Sequence, residues 1–169
     1  MSNIKHIESL EVSEDIAFQQ KEWRAERIGW LLMAAIILLA LLGFFGGGLI
    51  STTTKREPSG FQITYGRFDR LMNPSQISLQ LPATAIQSGE ARFWIDRQYL
   101  DAVQVETVLP VPDSVEVNGD RVFYVVKAAD PSQPVKVKIE LWLQKSGLIR
   151  GQAGWEGGSP LTFTQFIFP

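Results

Sequence analysis

Residues 96–101, Asp96-Arg97-Gln98-Tyr99-Leu100-Asp101, are the densest local set of groups able to do chemistry. Two carboxylates beside a guanidinium can act as general acid and base, or hold a hard cation through oxygen. In a solvated loop the same residues make turns and weak surface pairs, and that is the reading adopted. A carboxylate-only hydrolase would require Asp96 or Asp101 to sit in a closed pocket with a second acid nearby. Residues 151–159, GQAGWEGGS, are glycine-rich. A phosphate-binding loop needs a strand before it, a helix after it and a Lys-Ser/Thr ending, and that ending is missing. The stretch reads as a flexible loop or an irregular strand pair. Ser146 and Ser159 lack a G-x-S-x-G frame.

Other classes fall to composition. With no Cys there is no disulfide framework, thiolate metal site, redox dithiol or Cys nucleophile. The single His, His6, lies in a polar tail, so neither a multi-His metal site nor a Ser-His-Asp triad is supplied. No cofactor is indicated. Sixteen Lys and Arg stand against 18 Asp and Glu, a formal charge of -2 with no long run of one sign, which leaves no electrostatic footprint for nucleic acid. The chain is expected to be non-enzymatic.

The elements that must position these groups divide unevenly along the 169 residues. Residues 28–50, IGWLLMAAIILLALLGFFGGGLI, carry no charge over 23 positions. As a helix they would reach roughly 34 Å, against a hydrocarbon core of roughly 30 Å. The run is too long for the apolar part of a signal peptide and no A-x-A site follows it, so it reads as an uncleaved single-pass signal-anchor. Lys21, Arg24 and Arg27 flank its start, while Lys55 and Arg56 follow its end after a neutral spacer. That margin favours a cytoplasmic N-terminus and an extracytoplasmic C-terminal domain in a bacterial inner membrane, with the domain periplasmic. Ser13 is placed to cap a helix entering the bilayer, so the leader, 1–27, is expected to be partly helical. Trp23 and Trp30, seven residues apart, lie on one helical face as membrane-interface anchors. Gly43 and Gly47 form a small-xxx-small pair that would let another helix approach, which allows a homo-oligomer through the transmembrane helix.

Residues 51–60 read as a linker, and 61–169 alternate apolar and polar residues with period two, broken at Gly, Pro and Asn. Val135, Val137, Ile139, Leu141 and Leu143, interleaved with Lys136, Lys138, Glu140, Trp142 and Gln144, mark one buried and one solvated face. Asn118-Gly119 signals a type I′ hairpin between the strand at 115–117 and the two-sided apolar run 121–127, read as a central strand. Seven or eight such strands suggest an antiparallel immunoglobulin-like or fibronectin-like β-sandwich, with a small β-barrel as the alternative. Trp94 and Trp142 fall among charged neighbours on their strands, and with Trp155 they are the candidates for a partner or ligand surface. Clustering of these indoles on one open surface would favour ligand binding. Phe163, Phe166 and Phe168 are read as core.

At residues 93–106, FWIDRQYLDAVQVE, and at the ending TQFIFP, 164–169, the chain resembles an uncharacterised family of bacterial single-pass membrane proteins with a C-terminal extracytoplasmic β-domain. The resemblance implies occasional genetic proximity to a small multi-pass membrane protein and supplies no catalytic residue. The architecture also resembles accessory proteins of respiratory-oxidase assembly, whose copper-handling members use Cys that this chain lacks. The expected function is therefore an accessory or assembly subunit, its partners the lipid bilayer and another integral membrane protein. The alternative is a membrane-anchored ligand- or glycan-binding module.

Overall fold

The computed structural model describes residues 16–42 and 51–169. The N-terminal unit is helix α1, Ile16–Leu41. Its first half carries Lys21, Glu22, Arg24, Glu26 and Arg27, and from Ile28 onward it is uncharged. Arg27 lies one turn after Trp23 with its guanidinium 3.6 Å from the centre of the indole, and both Trp23 and Trp30 are exposed. Among the described residues no helix is long and apolar enough to cross a membrane. The described helix holds only the first part of the apolar run 28–50; Gly43, Gly47 and the Ser13 cap lie outside the described residues.

The second unit is a β domain of two sheets, not a closed barrel. One has the order β1 (Thr52–Arg56), β2 (Gln62–Gly66), β4 (Pro74–Leu81), β10 (Val135–Leu143), β7 (Val103–Leu109). The other runs β3 (Phe68–Arg70), β12 (Leu161–Phe168), β11 (Gly147–Trp155), β6 (Glu90–Asp96), β9 (Arg121–Lys127), β8 (Ser114–Asn118), with β5 (Ile86–Gln87) also paired to β6. Pairing is antiparallel except for β3, which runs parallel to β12. The period-two pattern is realised directly: Val137, Ile139, Leu141 and Leu143 of β10 are buried, as are Ile77, Leu79 and Leu81 of β4 opposite them. Phe93 and Ile95 of β6 and Phe163 and Ile167 of β12 fill the core from the other sheet. Each such side chain contributes about 1.5–3 kcal/mol by leaving water.

Several expectations change. The stretch read as a linker contains β1, paired along its length with β2. Its threonines are good strand formers with no apolar face to advertise it, and Lys55 Nζ and the Glu57 carboxylate bind the Thr162 carbonyl and the Ser159 N–H. The hairpin between β8 and β9 forms, but Asn118 pairs with Arg121, so the central residues are Gly119 and Asp120. Only Gly119 has positive φ, 58°, whereas a type I′ turn needs it at both positions. In β12 the inward positions are Phe163, Gln165 and Ile167; Phe166 is 39% exposed and stacks edge-on against Phe168.

Gln165 is fully buried and joins three elements. Its Nε2 donates to the Gly66 carbonyl of β2 at 2.8 Å, and its Oε1 accepts from the Tyr99 hydroxyl at 2.6 Å. Tyr99 belongs to α2, the single helical turn Arg97–Leu100. Burial, followed by the charges of Asp69 and Asp96, pushes the Tyr99 hydroxyl well above the ordinary tyrosine range, so it stays a donor. Beside this bridge Asp69 accepts from Ser75 Oγ at 2.7 Å, and a Cβ on Gly66 would stand 2.6 Å from the Asp69 carboxylate.

The glycines of 151–159 make room for aromatic rings. A Cβ on Gly151 would meet Phe163 at 2.5 Å and Tyr99 at 2.8 Å, and one on Gly154 would meet Trp94 at 2.8 Å. The segment is therefore a strand with a closely packed turn, not a flexible loop. Gly151→Ala and Gly154→Ala should each cost about 1–3 kcal/mol of stability, read as a lowered unfolding midpoint of the full chain in detergent. Unchanged midpoints would show that the rings can move aside.

Burial raises the Asp69 carboxyl above its ordinary value, with the Ser75 hydrogen bond opposing. A carboxyl so raised holds its proton more firmly folded than unfolded, so its contribution is fullest below the ordinary carboxylate range and is lost as pH rises through its folded value. In thermal melts, the stability of the wild type minus that of Asp69→Asn should fall as pH rises from about 4 toward neutrality. A pH-independent difference would contradict this.

Candidate functional site

α2 forms where Asp96 ends β6, and the Arg97 N–H donates to the Asp120 carbonyl at 2.8 Å, tying the β8–β9 turn to the helical turn. Between them opens a depression of about 650 Å³ lined by Asp96, Gln98, Asp120, Arg150, Gly151, Gln152 and Thr162. Its floor is Gly151, packed on Tyr99 and Phe163. Asp96 accepts the Gln152 backbone N–H at 2.6 Å, and burial raises its carboxyl even though that hydrogen bond pulls the other way. Asp101, which sequence reasoning grouped with Asp96, is exposed and does not line this depression; it borders a neighbouring one with Arg97, Gln98, Asp120 and Lys145. The second acid is Asp120, from a different hairpin, and no local motif could have pointed to it. The depression is open to solvent. Carboxylate, amide, guanidinium and hydroxyl groups on an open surface can hydrogen-bond a polar ligand. Among the described residues no three His, Cys, Asp or Glu side chains are grouped to hold a metal.

The three indoles do not assemble. Trp94 is 3% exposed, covered by the Arg121 guanidinium at 4.0 Å and seated on Gly154. Trp155 packs against the core and is pressed by Gly157 and Gly158. Trp142 is half-buried on the other sheet, and its Nε1 donates to the Glu106 carboxylate at 2.8 Å. No shared open aromatic surface results.

A different surface stands out. Among the described residues four strands end the two sheets, and the two-residue β5 forms a further short edge beside β6. β1 carries Lys55 and Arg56 and is polar throughout. β3 has three residues. β7 is irregular where the register shifts opposite Glu140 and Leu141, at Glu106. Cations, shortness and bulges all discourage pairing with a foreign strand. β8 has none of these: five regular residues, SVEVN, with no proline and every side chain exposed. Val115 and Val117 lie opposite Tyr124 and Val122, both buried, so they face the core side but project past its cover. They are 52% and 64% exposed, and Val111 just before the strand is 75% exposed. On the other face Glu116 is held by Arg92 at 2.7 Å, and Arg92 also reaches Glu156 at 3.4 Å. The alternation Val-Glu-Val was visible in the sequence, but its lack of cover was not.

No family model and no curated protein matches the chain. Among solved structures it is similar in part to the C-terminal domain of the AgI/II polypeptide BspA of Streptococcus agalactiae. That match has a TM-score of 0.40 and 14% identity over 70% of this chain and 49% of that one. It is also similar in part to the Actinomyces fimbrial adhesin FimA, with a TM-score of 0.33 and 16% identity over 69% of this chain and 47% of that one. The chain spans about half the length of these structures. At such scores the likeness carries no argument from their names to this chain.

Proposed function

We propose that the chain is a non-enzymatic, single-pass interaction module of the bacterial cytoplasmic membrane. In this reading residues 28–50 span the bilayer with the leader 1–27 in the cytoplasm, Trp23 and Trp30 sit at the interface, and the β domain, of immunoglobulin-like or fibronectin-like kind, lies outside. The helix sets the domain beside a larger membrane protein, for which the chain is an accessory or assembly subunit. The β8 edge is where the domain receives a strand of another polypeptide. The observation that supports this is the uncovered Val115-Val117 strip on the sheet end that, among the described residues, carries no cation, proline or register shift.

Purification of the tagged full chain from its native membranes in mild detergent tests the reading. With an untagged copy of the chain also present, the wild type should retain the polypeptide that docks on β8, and the double variant Val115→Lys, Val117→Lys should lose most of it while its unfolding midpoint changes little. Equal retention by both would remove β8 from the account.

A further inference from the structure

We propose that the strand received by β8 is β8 of a second copy of this chain, paired antiparallel about a two-fold axis. This rests on the reading that β8 accepts a strand, and it leaves contact with a larger membrane protein to the helix. The two-residue turn makes Asn118 and Arg121 a hydrogen-bonded pair, and such pairs alternate along an antiparallel ladder. Glu116 therefore also bonds toward β9, while the N–H and C=O of Val115 and Val117 point outward. A two-fold axis at Glu116 sets Val115 against Val117 of the second copy, and Val117 against Val115, so four outward amide groups on each side find partners. Ser114 then meets Asn118. The apolar strip each copy exposes is the cover the other lacks, the self-complementarity of an isologous interface.

Charge permits this occupant. Two Glu116 side chains would face each other across the axis, and the 2.7 Å bond of each to Arg92 of its own chain offsets part of their repulsion. From Lys55 onward the chain carries 12 basic and 12 acidic residues, so two copies approach without net repulsion. A strongly basic partner strand would have to compete with Arg92 for Glu116.

The chain has no native Cys, which makes the axis directly testable. On the outer edge Glu116 forms a non-hydrogen-bonded pair with itself, with Cα atoms about 4.5 Å apart, within disulfide range. Full-length Glu116→Cys in native membranes should form a disulfide dimer on mild oxidation, at least tenfold more than Ser78→Cys on the outward face of the other sheet. Adding Val117→Lys should reduce the dimer to the Ser78→Cys level. Equal dimer from both cysteines would overturn the proposal as mere collision. A photo-reactive p-benzoylphenylalanine in place of Val115, or in place of Val117, separates the alternatives. An adduct of twice the chain mass supports the second copy. An adduct with a different protein overturns it while the strand-accepting reading stands, and no adduct at 115 or 117 overturns both.

Discussion

One buried amide holds the β domain in register. Gln165 occupies a core position of β12 where an apolar side chain would be the simplest choice, and it binds β2 through the Gly66 carbonyl and α2 through the Tyr99 hydroxyl. A buried amide left unsatisfied costs more than a made hydrogen bond contributes, so each partner is fixed relative to the others. The two sheets cannot slide without breaking the Gly66 bond, and α2 cannot lift without stranding Tyr99. Gly66 must be glycine for Asp69 to sit beside this bridge, and Gly151 must be glycine for the edge-to-face pair Tyr99 and Phe163 to pack against β11.

With that closure made, the remaining surfaces are unequal. The ridge of α2 borders a polar depression whose principal acid, Asp96, already holds the Gln152 amide. The indoles are consumed by packing on Arg121, Gly154 and Gly158, or by the Glu106 carboxylate. What the fold leaves without cover is the inner face of β8, where the apolar layer of β9 continues for one more strand after its lid has ended. A free apolar edge is a liability to a solitary domain and a resource to one that assembles.

Period-two alternation made β10 legible residue by residue, because its apolar members all face one way. The same rule explains the two-sided run 121–127: β9 lies between β6 and β8, with Val122, Tyr124 and Val126 inward and Phe123 under the Arg92 guanidinium. It was blind to β1, whose TTTKR carries no apolar phase, and ambiguous at β12, where Phe163 and Ile167 share one face while Phe166 and Phe168 share the other. Choosing between those faces required knowing that a polar Gln165 would be satisfied inside, a tertiary fact. The glycines of 151–159 looked like flexibility because composition does not reveal which aromatic ring each one admits. Asp120 joined Asp96 through a contact between a turn and a helical turn that no local spacing encodes.

Amide hydrogen exchange at β8 tests the central claim most directly, comparing the full chain at native density in bilayers with the same chain diluted in detergent. The Val115 and Val117 amides should be protected in the bilayer and exchange freely on dilution, while the Glu116 amide, bonded toward β9, should be protected in both. Free exchange of the Val115 and Val117 amides in both states would contradict it, because the edge would then meet no strand in the membrane.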